Sequence, residues 1–235
     1  MGMRFANKVA LVIGGNSGIG LATARAYAEE GAGVVITGRD PVTLAEAARE
    51  IGAGTLAIRS DVADLASVDA AIEQIRAQHG RIDVLFVNAG IGTFAAIPAV
   101  TPELWDQVHD VNLRGCFFAA QKALPLMGRG GSIVFTGSIG SVLAAPGNVI
   151  YAAAKAGLRA VTRIFAVELV AQGIRVNMVS PGPTETPIIN RNVGMDAQAV
   201  DALRQMMIAN TPMVKVRKVT GIFFARPPIL KMSCS

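Results

Sequence analysis

The segment Lys8–Gly20, KVALVIGGNSGIG, decides the fold of this chain. Its first half is a short apolar run that is rich in β-branched residues, and it predicts a buried strand at Lys8–Ile13. Its second half places glycines at positions 14, 18 and 20 and continues into a helical pattern at Ser17–Glu30. Glycines permit a tight turn and a close approach of the backbone to a pyrophosphate, and a helix N-terminus supplies free N–H groups. The segment therefore predicts a strand, a phosphate-binding loop and a helix in succession.

Short β-rich runs alternate with helical patterns along the rest of the chain. Such alternation requires crossover connections, and it predicts an α/β fold with a doubly wound, Rossmann-like parallel sheet in three layers. We expect a single domain over residues 1–235. Its six strands are predicted at Lys8–Ile13, Gly33–Thr37, Thr55–Arg59, Val84–Asn88, Ser132–Thr136 and Arg175–Ser180.

Helix starts are marked by residues that cap the first turn. Asp40 before Pro41 is typical of such a start, and Asp64 is expected to cap a helix that ends at His79. A longer helix is predicted to open at Thr101-Pro102-Glu103 and to run to about Met127.

Composition excludes several classes of protein. The chain has 235 residues, of which 51% are hydrophobic and 17% charged, values typical of a globular domain rather than a disordered chain. No stretch of about 18 residues is free of polar interruption, so we predict no membrane span, and no secretory signal is visible. The two cysteines, Cys116 and Cys234, fit neither a disulfide framework nor a metal site, and they favour a cytoplasmic location.

The net charge of +5 is concentrated in one segment. Residues 1–212 contain equal numbers of basic and acidic side chains, whereas residues 213–235 contain no acid. The excess consists of Lys215, Arg217, Lys218, Arg226 and Lys231. A nucleic-acid-binding protein needs a basic face on its folded domain, and this distribution therefore predicts no nucleic-acid partner.

The tip of the second strand indicates which dinucleotide binds. An acidic residue there would bind a ribose 2′-hydroxyl and repel a 2′-phosphate. Gly38 occupies this position and Arg39 follows it, while Asp40 is expected to act as a helix cap. An arginine can grip a 2′-phosphate and stack on adenine, so the sequence favours NADP(H) over NAD(H). The alternative is a solvated arginine in a turn.

Tyr151 and Lys155 lie four residues apart in the helical stretch YAAAK and therefore share one helix face. A tyrosine hydroxyl is a poor proton carrier at neutral pH, because its ordinary pKa is about 10. A lysine cation about 6–7 Å away favours the ionised tyrosine by roughly 2.5 kcal/mol at an effective dielectric constant of about 20. The pair is a candidate general acid and base, and the alternative is an ordinary pair on a helix surface.

These motifs together resemble those of the short-chain dehydrogenase/reductase family, in particular its 3-oxoacyl-carrier-protein-reductase-like members. The resemblance covers residues 5 to about 213. It rests on Gly14, Gly18 and Gly20, Asp61-Val62, Asn88-Ala89-Gly90, Asn112, Ser138, Tyr151, Lys155 and Pro181-Gly182. It implies an NADP(H)-dependent oxidoreductase that interconverts a ketone and a secondary alcohol by hydride transfer.

The resemblance also implies a role for each site residue. Ser138 would bind the substrate oxygen, Tyr151 would donate or accept the proton, and Lys155 would bind ribose and favour ionised Tyr151. Asn112 would hold a water molecule that links Lys155 to solvent; the alternative for Asn112, as for Asp61 and Asn88, is a structural role. Cofactor contacts are expected from Gly14, Asn16, Ser17, Gly18, Ile19, Gly20, Arg39, Asp61, Val62, Asn88, Ala89, Gly90, Tyr151, Lys155, Pro181, Gly182, Thr184 and Thr186.

The sequence leaves the substrate open. The apolar, methionine-containing segment Thr184–Asn210 is predicted to cover the substrate. A 3-oxoacyl thioester, a sugar or a small ketone would fit beneath it. The alternative function is a protein that binds the nucleotide with little or no turnover, because its C-terminal region is lost.

The chain departs from the family pattern in two places. Ile13 stands where a threonine is usual, which predicts that the first and fourth strands lack one side-chain hydrogen bond. After Met213 the chain reads VKVRKVTGIFFARPPILKMSCS in place of an acidic helix and a seventh strand. We interpret this tail as a change of reading frame near Val219, with a natural divergent tail as the alternative. Loss of the seventh strand would expose a sheet edge.

Family members usually assemble as dimers or tetramers. The surface of the two long helices that carry Asn112 and Tyr151 is intact in this sequence, whereas the C-terminal surface is altered. A two-fold interface uses one patch twice, so we expect a homodimer through the long helices, with a tetramer as the alternative. The side chains available there and in the core are Trp105, Phe117, Phe118, Leu158, Ile164, Phe165 and Leu169.

Overall fold

Six parallel strands form one sheet in the computed structural model, which describes residues 3–184, 186–189 and 196–209. They are β1 (Val9–Ile13), β2 (Gly33–Gly38), β3 (Leu56–Arg59), β4 (Val84–Val87), β5 (Ser132–Thr136) and β6 (Arg175–Val179). Their spatial order is β3-β2-β1-β4-β5-β6. The predicted sheet is confirmed; β1, β3, β4 and β6 are each one residue shorter than expected, and β2 is one residue longer.

Helices cover both faces of this sheet. They are α1 (Gly18–Glu29), α2 (Pro41–Ile51), α3 (Leu65–His79), α4 (Pro102–His109), α5 (Cys116–Ala123), α6 (Val149–Leu169) and α7 (Ala197–Ala209). Helices α1 and α2 pack on the face that Ala10 and Val12 of β1 present, and α3, α5 and α6 pack on the face of Leu11 and Ile13. The alternation of β1 side chains between two apolar clusters accounts for the predicted three layers.

Side-chain caps fix the starts of three helices. Asp40 accepts a hydrogen bond from Thr43 N at 2.7 Å, and Asp64 accepts one from Ala66 N at 3.0 Å. Thr101 accepts from Leu104 N at 3.2 Å, and Pro102 follows it. The predicted helix starts are confirmed.

The long helix predicted from Thr101 to about Met127 is confirmed in extent, because helical backbone runs without interruption from Pro102 to Leu126, although its type changes along the way. Helix α4 ends at His109, a wide π-helical turn occupies Asp110–Gly115, and α5 gives way to a 3-10 turn at Leu124–Leu126. Within the wide turn, the Asn112 side chain bonds to a neighbouring loop rather than to solvent. Wide turns of this kind are frequent at functional sites.

β1 is the point at which the winding of the sheet reverses. It pairs with β2 on one side and with β4 on the other. In open α/β sheets, ligands bind in the crevice outside the carboxyl ends of the strands at this switch point. The loops after β1, β4 and β5 therefore surround the expected site.

β6 is an edge of the sheet within the described residues. Val179 on β6 is 41% exposed, and Val167 on α6 is 71% exposed. The predicted divergent tail, residues 213–235, lies outside the described residues, as does Met195 of the predicted cover. Among the described residues, no helix is long and apolar enough to cross a membrane.

Candidate active site

The loop Gly14–Gly20 joins β1 to α1 at the carboxyl edge of the sheet. Gly14 has a φ of +75° and Gly18 a φ of +54°, values that favour glycine. A Cβ atom on Gly14 would lie 2.9 Å from the Ala89 backbone, and one on Gly20 would lie 2.0 Å from the Gly14 carbonyl oxygen. The first turn of α1 carries no acidic side chain, so its positive end is uncompensated there. This cradle, which side chains would fill, fits a pyrophosphate.

The remaining predicted loop residues surround the cradle. The Asn16 amide donates to Thr43 Oγ1 at 2.9 Å and thereby joins the loop to α2. Ser17 is the N-cap residue of α1. Ile19 packs against the apolar cluster beneath α1 and α2, so it would meet a bound dinucleotide chiefly through its backbone.

Asn88 joins the loop to the neighbouring strand. Its Nδ2 donates to the Gly14 carbonyl oxygen at 3.0 Å, and its backbone N–H donates to the Ile13 carbonyl oxygen at 2.9 Å. A side-chain link between the ends of β1 and β4 is therefore present, although Ile13 has no hydroxyl to make one. The prediction at Ile13 stands, since the side chain of isoleucine can make no such bond, and Asn88 makes a different link between the same two strand ends.

Tyr151 and Lys155 lie on one face of α6, as their spacing predicts. Lys155 Nζ lies 5.8 Å from the centroid of the Tyr151 ring. The Lys155 residue is 3% exposed, and its ammonium donates to the Thr136 carbonyl oxygen at 2.8 Å. The Lys155 cation is therefore held close to the Tyr151 ring and is shielded from solvent.

Ser138 faces Tyr151 across a short 3-10 turn, Ile139–Ser141, that follows β5. Its Oγ accepts a hydrogen bond from Gly140 N at 3.0 Å. A hydroxyl that accepts in this way retains its own proton for donation to a substrate oxygen. A Cβ atom on Gly140 would lie 3.3 Å from Ser138 Oγ and 3.8 Å from Tyr151 Cε1, so the two side chains border the same small space.

Asn112 is fully buried near Lys155. Its Oδ1 accepts from Ile91 N and its Nδ2 donates to Ile91 O, both at 2.8 Å. A Cβ atom on Gly90 would lie 3.3 Å from Asn112 Oδ1 and 3.6 Å from Lys155 Nζ. The structural role that the sequence left open for Asn112 is therefore present, and its water-holding role stays a prediction.

A chain of hydrogen bonds connects Lys155 to the glycine loop. Lys155 bonds to the carbonyl oxygen of Thr136, whose hydroxyl donates to Asn88 Oδ1 at 3.1 Å. The amide of Asn88 in turn donates to Gly14. Sequence reasoning missed Thr136; the available signal was a polar residue at the end of an otherwise apolar strand.

The end of β2 carries the charged groups that would meet the adenosine. The Arg39 side chain is 60% exposed, and its Nη1 lies 3.9 Å from Asp61 Oδ2. Arg59, the β3 partner of Gly38, donates from Nε to the Arg39 carbonyl oxygen at 3.2 Å. Two guanidinium groups therefore lie at this corner, and Arg59 was missed because nothing in the sequence pairs it with Gly38.

Asp61 and Val62 also stabilise the local structure at the end of β3. Asp61 Oδ1 accepts from Ala63 N at 3.0 Å, which is the turn role that the sequence left open. Val62 is 6% exposed and belongs to the apolar cluster beneath the sheet. The Val62 side chain thus faces the core rather than solvent.

The segment after β6 reaches back to both ends of the site. Pro181 O accepts from Ile139 N at 3.1 Å, beside Ser138. Thr184 Oγ1 donates to Gly182 O at 3.0 Å. A Cβ atom on Gly18 would lie 3.1 Å from Thr186 Cβ. The structure therefore brings the predicted nicotinamide-end residues between the catalytic turn and the phosphate loop.

Other candidate residues lie away from this chemistry. Cys116 is fully buried, and burial raises the pKa of its thiol. His79 and His109 end helices α3 and α4, and the Trp105 ring stacks on His109 with centroids 4.3 Å apart. Within the described chain, no group of three or more His, Cys, Asp or Glu side chains could hold a metal ion.

Known proteins are similar to this chain along most of its length. A family model described as "Enoyl-(Acyl carrier protein) reductase" matches residues 13–223 and so extends into the segment predicted to diverge. The cis-4-hydroxycyclohexanecarboxylate dehydrogenase of Sinomonas cyclohexanicum is 41% identical over 213 residues, which are 87% of this chain and 84% of that protein. A 3-oxoacyl-(acyl-carrier-protein) reductase of Thermotoga maritima is 38% identical over 194 residues, 80% of this chain and 79% of that protein.

The fold is also similar to solved structures. The crystal structure of 3-ketoacyl-(acyl-carrier-protein) reductase from Brucella melitensis, complexed with NADH, gives a TM-score of 0.82 at 32% identity. The match covers 91% of this chain and 86% of that chain. Similarity in sequence and in structure therefore spans the sheet, the glycine loop and the cluster around Tyr151.

Proposed function

This chain belongs to the short-chain dehydrogenase/reductase family, and we propose that it is an NADP(H)-dependent enzyme that uses Tyr151 as proton donor and acceptor. Its relatives are carbonyl reductases and alcohol dehydrogenases, so its activity is the interconversion of a ketone and an alcohol with a nicotinamide cofactor. The observation that carries the finer proposal is the buried Lys155 cation 5.8 Å from the Tyr151 ring, opposite Ser138.

The cofactor supplies the hydride, and the residues of this chain bind and orient it. The Gly14–Gly20 cradle and the N-terminus of α1 would hold the pyrophosphate, and Lys155 would hold the ribose near nicotinamide. Residues 181–184 and Thr186 would border the nicotinamide itself. The glycine cradle supports this fit, since side chains at Gly14 or Gly20 would collide with neighbouring backbone.

Proton transfer is assigned to three side chains. In the reduction direction, Ser138 donates a hydrogen bond to the carbonyl oxygen, and the Tyr151 hydroxyl gives up its proton to that oxygen as the alcohol forms. The Lys155 cation then compensates the tyrosinate that remains. Its proximity and burial support this role, because Coulomb attraction weakens with distance and with solvent screening.

Preference for NADP(H) is assigned to the corner formed by Arg39 and Arg59. Both guanidinium groups lie at the ends of the two adjacent strands where a 2′-phosphate would be bound. Asp61 lies within 3.9 Å of Arg39 and partly offsets its charge. A phosphate dianion would attract both arginines, whereas a free ribose 2′-hydroxyl carries no charge to attract them.

Assembly and location complete the proposal. The outer face of α6 carries Ala156, Ala160, Ile164 and Val167 in one exposed stripe, which supports a homodimer through the long helices, with a tetramer as the alternative. Light scattering after size exclusion distinguishes the two. No nucleic-acid partner is proposed, and the cytoplasmic location stays a prediction from the cysteine content.

A ketone panel with NADPH tests the proposed function. We expect oxidation of NADPH in the presence of at least one ketone, together with tight binding of NADPH in its absence. The alternative is a nucleotide-binding protein with little turnover, and the exposed β6 edge in the described chain favours it. Tight NADPH binding without turnover on any ketone or secondary alcohol would establish that alternative and contradict the enzyme.

A further inference from the structure

The 3-10 turn Ile139–Ser141 leaves an opening between the proposed catalytic side chains. A Cβ atom on Gly140 would lie 3.0 Å from Asn148 Nδ2, 3.3 Å from Ser138 Oγ and 3.8 Å from Tyr151 Cε1. Three side chains therefore converge on one point, and two of them are the groups that would bind the reacting oxygen. Glycine keeps that point open, because a larger side chain at position 140 would fill it.

The side-chain amide of Asn148 is buried, and its oxygen accepts no hydrogen bond in the described part of the chain. The residue is 7% exposed, and its Oδ1 has no hydrogen-bond partner there. Asn148 precedes α6, yet its side chain makes no capping bond to that helix. A buried polar atom without a partner destabilises the folded state, so folding alone does not account for an asparagine at this position.

We propose that Asn148 and Gly140 form a subsite that binds a hydroxyl group on the carbon next to the reacting carbonyl. The inference rests on the proposed function, since Ser138 and Tyr151 define where the reacting oxygen lies. Nδ2 faces the opening, and rotation of the amide exchanges Nδ2 and Oδ1 at that place. A hydroxyl both donates and accepts, so it bonds to the amide in either orientation.

The surroundings of the opening define the rest of the substrate. Val142 is 64% exposed and Leu143 is 59% exposed on the loop that continues from the same turn. Exposed apolar side chains beside a site favour an apolar ligand surface. The substrate class that fits is therefore an α-hydroxyketone, or the corresponding vicinal diol, with an apolar remainder.

Matched ketones test the subsite, because a hydroxyl and a methyl group have similar size. Each pair consists of a hydroxymethyl ketone and the corresponding ethyl ketone, with methyl, hexyl or phenyl on the other side of the carbonyl. The readout is the ratio of kcat/KM for the two ketones with NADPH, compared between wild type and variant, so that intrinsic reactivity cancels. Asn148→Leu keeps the volume and removes hydrogen bonding, and we expect it to lower the ratio about tenfold, the effect of one good hydrogen bond.

Two further variants test the subsite if the Asn148→Leu protein does not fold. Asn148→Ser retains a hydrogen-bonding group and is expected to retain part of the preference for hydroxymethyl ketones. Gly140→Ala fills the opening and is expected to raise KM for both ketones of a pair. Gly128→Ala is the matched control, because a Cβ there meets nothing within 4 Å, and its kinetics should equal those of wild type. Unchanged NADPH affinity verifies that each variant is folded.

The outcomes separate this inference from the proposed function. Loss of the preference in Asn148→Leu, with the ethyl ketones little affected, supports the subsite. An unchanged ratio in that variant, with both ketones slowed equally, overturns the subsite and leaves the proposed function standing. No turnover by the wild-type protein on any ketone, despite NADPH binding, overturns the proposed function and the subsite with it.

Discussion

The two tyrosines of this chain have different surroundings. Tyr27 is 2% exposed in the apolar cluster beneath α1, where its ring meets the edge of Phe5 with centroids 5.0 Å apart. Burial raises the pKa of Tyr27 to about 12. Tyr151 is partly buried at the carboxyl edge of the sheet, with the ammonium of Lys155 5.8 Å from its ring.

The difference lies in the neighbours and not in the residue. Burial among apolar neighbours disfavours the ionised form of Tyr27, because it removes the water that would solvate the charge. Tyr151 instead has a buried cation, that of Lys155, beside its ring. We propose that this neighbouring charge distinguishes the tyrosine that carries the proton from the one that only packs, and each of the following experiments alters one region while leaving the other intact.

The largest expected effect follows from removing that charge. Lys155→Met keeps an unbranched side chain in the same space, and we expect turnover to fall by at least about a hundredfold, the size of a typical acid–base contribution. Single-turnover oxidation of NADPH measures it. Lys122→Met is the matched control, since Lys122 pairs with exposed Asp69 away from the site. Equal losses in both variants would make the effect structural rather than catalytic.

The raised pKa of Tyr27 predicts a loss of folding stability at high pH. Its pKa in the folded protein, about 12, exceeds the ordinary value of 10.0, so the folded protein holds this proton more tightly than the unfolded chain. The resulting stability is fully present below the ordinary pKa and is lost as pH rises through the folded value. We expect the free energy of unfolding to fall by about 2 kcal/mol between pH 10 and pH 12 from this group. Urea titrations should show that the free energy of unfolding falls less in Tyr27→Phe than in wild type. Identical falls in the two proteins would contradict the raised pKa of Tyr27.

An exposed charge is expected to matter less than the buried one. Arg39→Asp replaces attraction by repulsion at the proposed 2′-phosphate corner, and NADPH affinity should fall by more than about tenfold, which requires only about 1.4 kcal/mol. Fluorescence titration measures the dissociation constants of NADPH and NADH. NADH should be affected far less, and equal losses for the two cofactors would show that Arg39 is not the selector.

The smallest effect concerns the hydrogen-bond chain between the lysine and the phosphate loop. Thr136→Val removes the hydroxyl that donates to Asn88 and keeps the carbonyl that binds Lys155. We expect a loss of about 1–2 kcal/mol in unfolding free energy and a few-fold loss in NADPH affinity. Thr136→Ser should restore both. Thr162→Val, which removes a buried hydroxyl within α6, should change stability alone. A similar loss of NADPH affinity in that variant would show that the hydrogen bonds between Lys155 and the loop do not determine the affinity.

Local patterns were sufficient to predict the strand–loop–helix at Gly14 and the shared face of Tyr151 and Lys155. Both follow from residues close together in the sequence, so periodicity and spacing determine them. The π-helical turn at Asp110–Gly115, within the long helix, was not predictable in this way. Its irregularity depends on the bonds between Asn112 and Ile91, two residues from different parts of the chain.

The missed site residues share this dependence on tertiary structure. Thr136 matters through Asn88, and Arg59 matters through its register with Gly38. Asn148 becomes a candidate only when its lack of a partner and its distance to Gly140 are known. Sequence patterns therefore located the chemistry of the site, while the residues that position or select ligands required the three-dimensional arrangement.

The central claim is that Tyr151, and not merely its surroundings, transfers the proton. Single-turnover oxidation of NADPH by Tyr151→Phe, measured beside Tyr27→Phe, tests it most directly, because these are the two tyrosines of the chain. The account predicts that Tyr151→Phe loses at least about a hundredfold in rate with little change in NADPH affinity, while Tyr27→Phe turns over at the wild-type rate. A Tyr151→Phe enzyme with near wild-type turnover would contradict it.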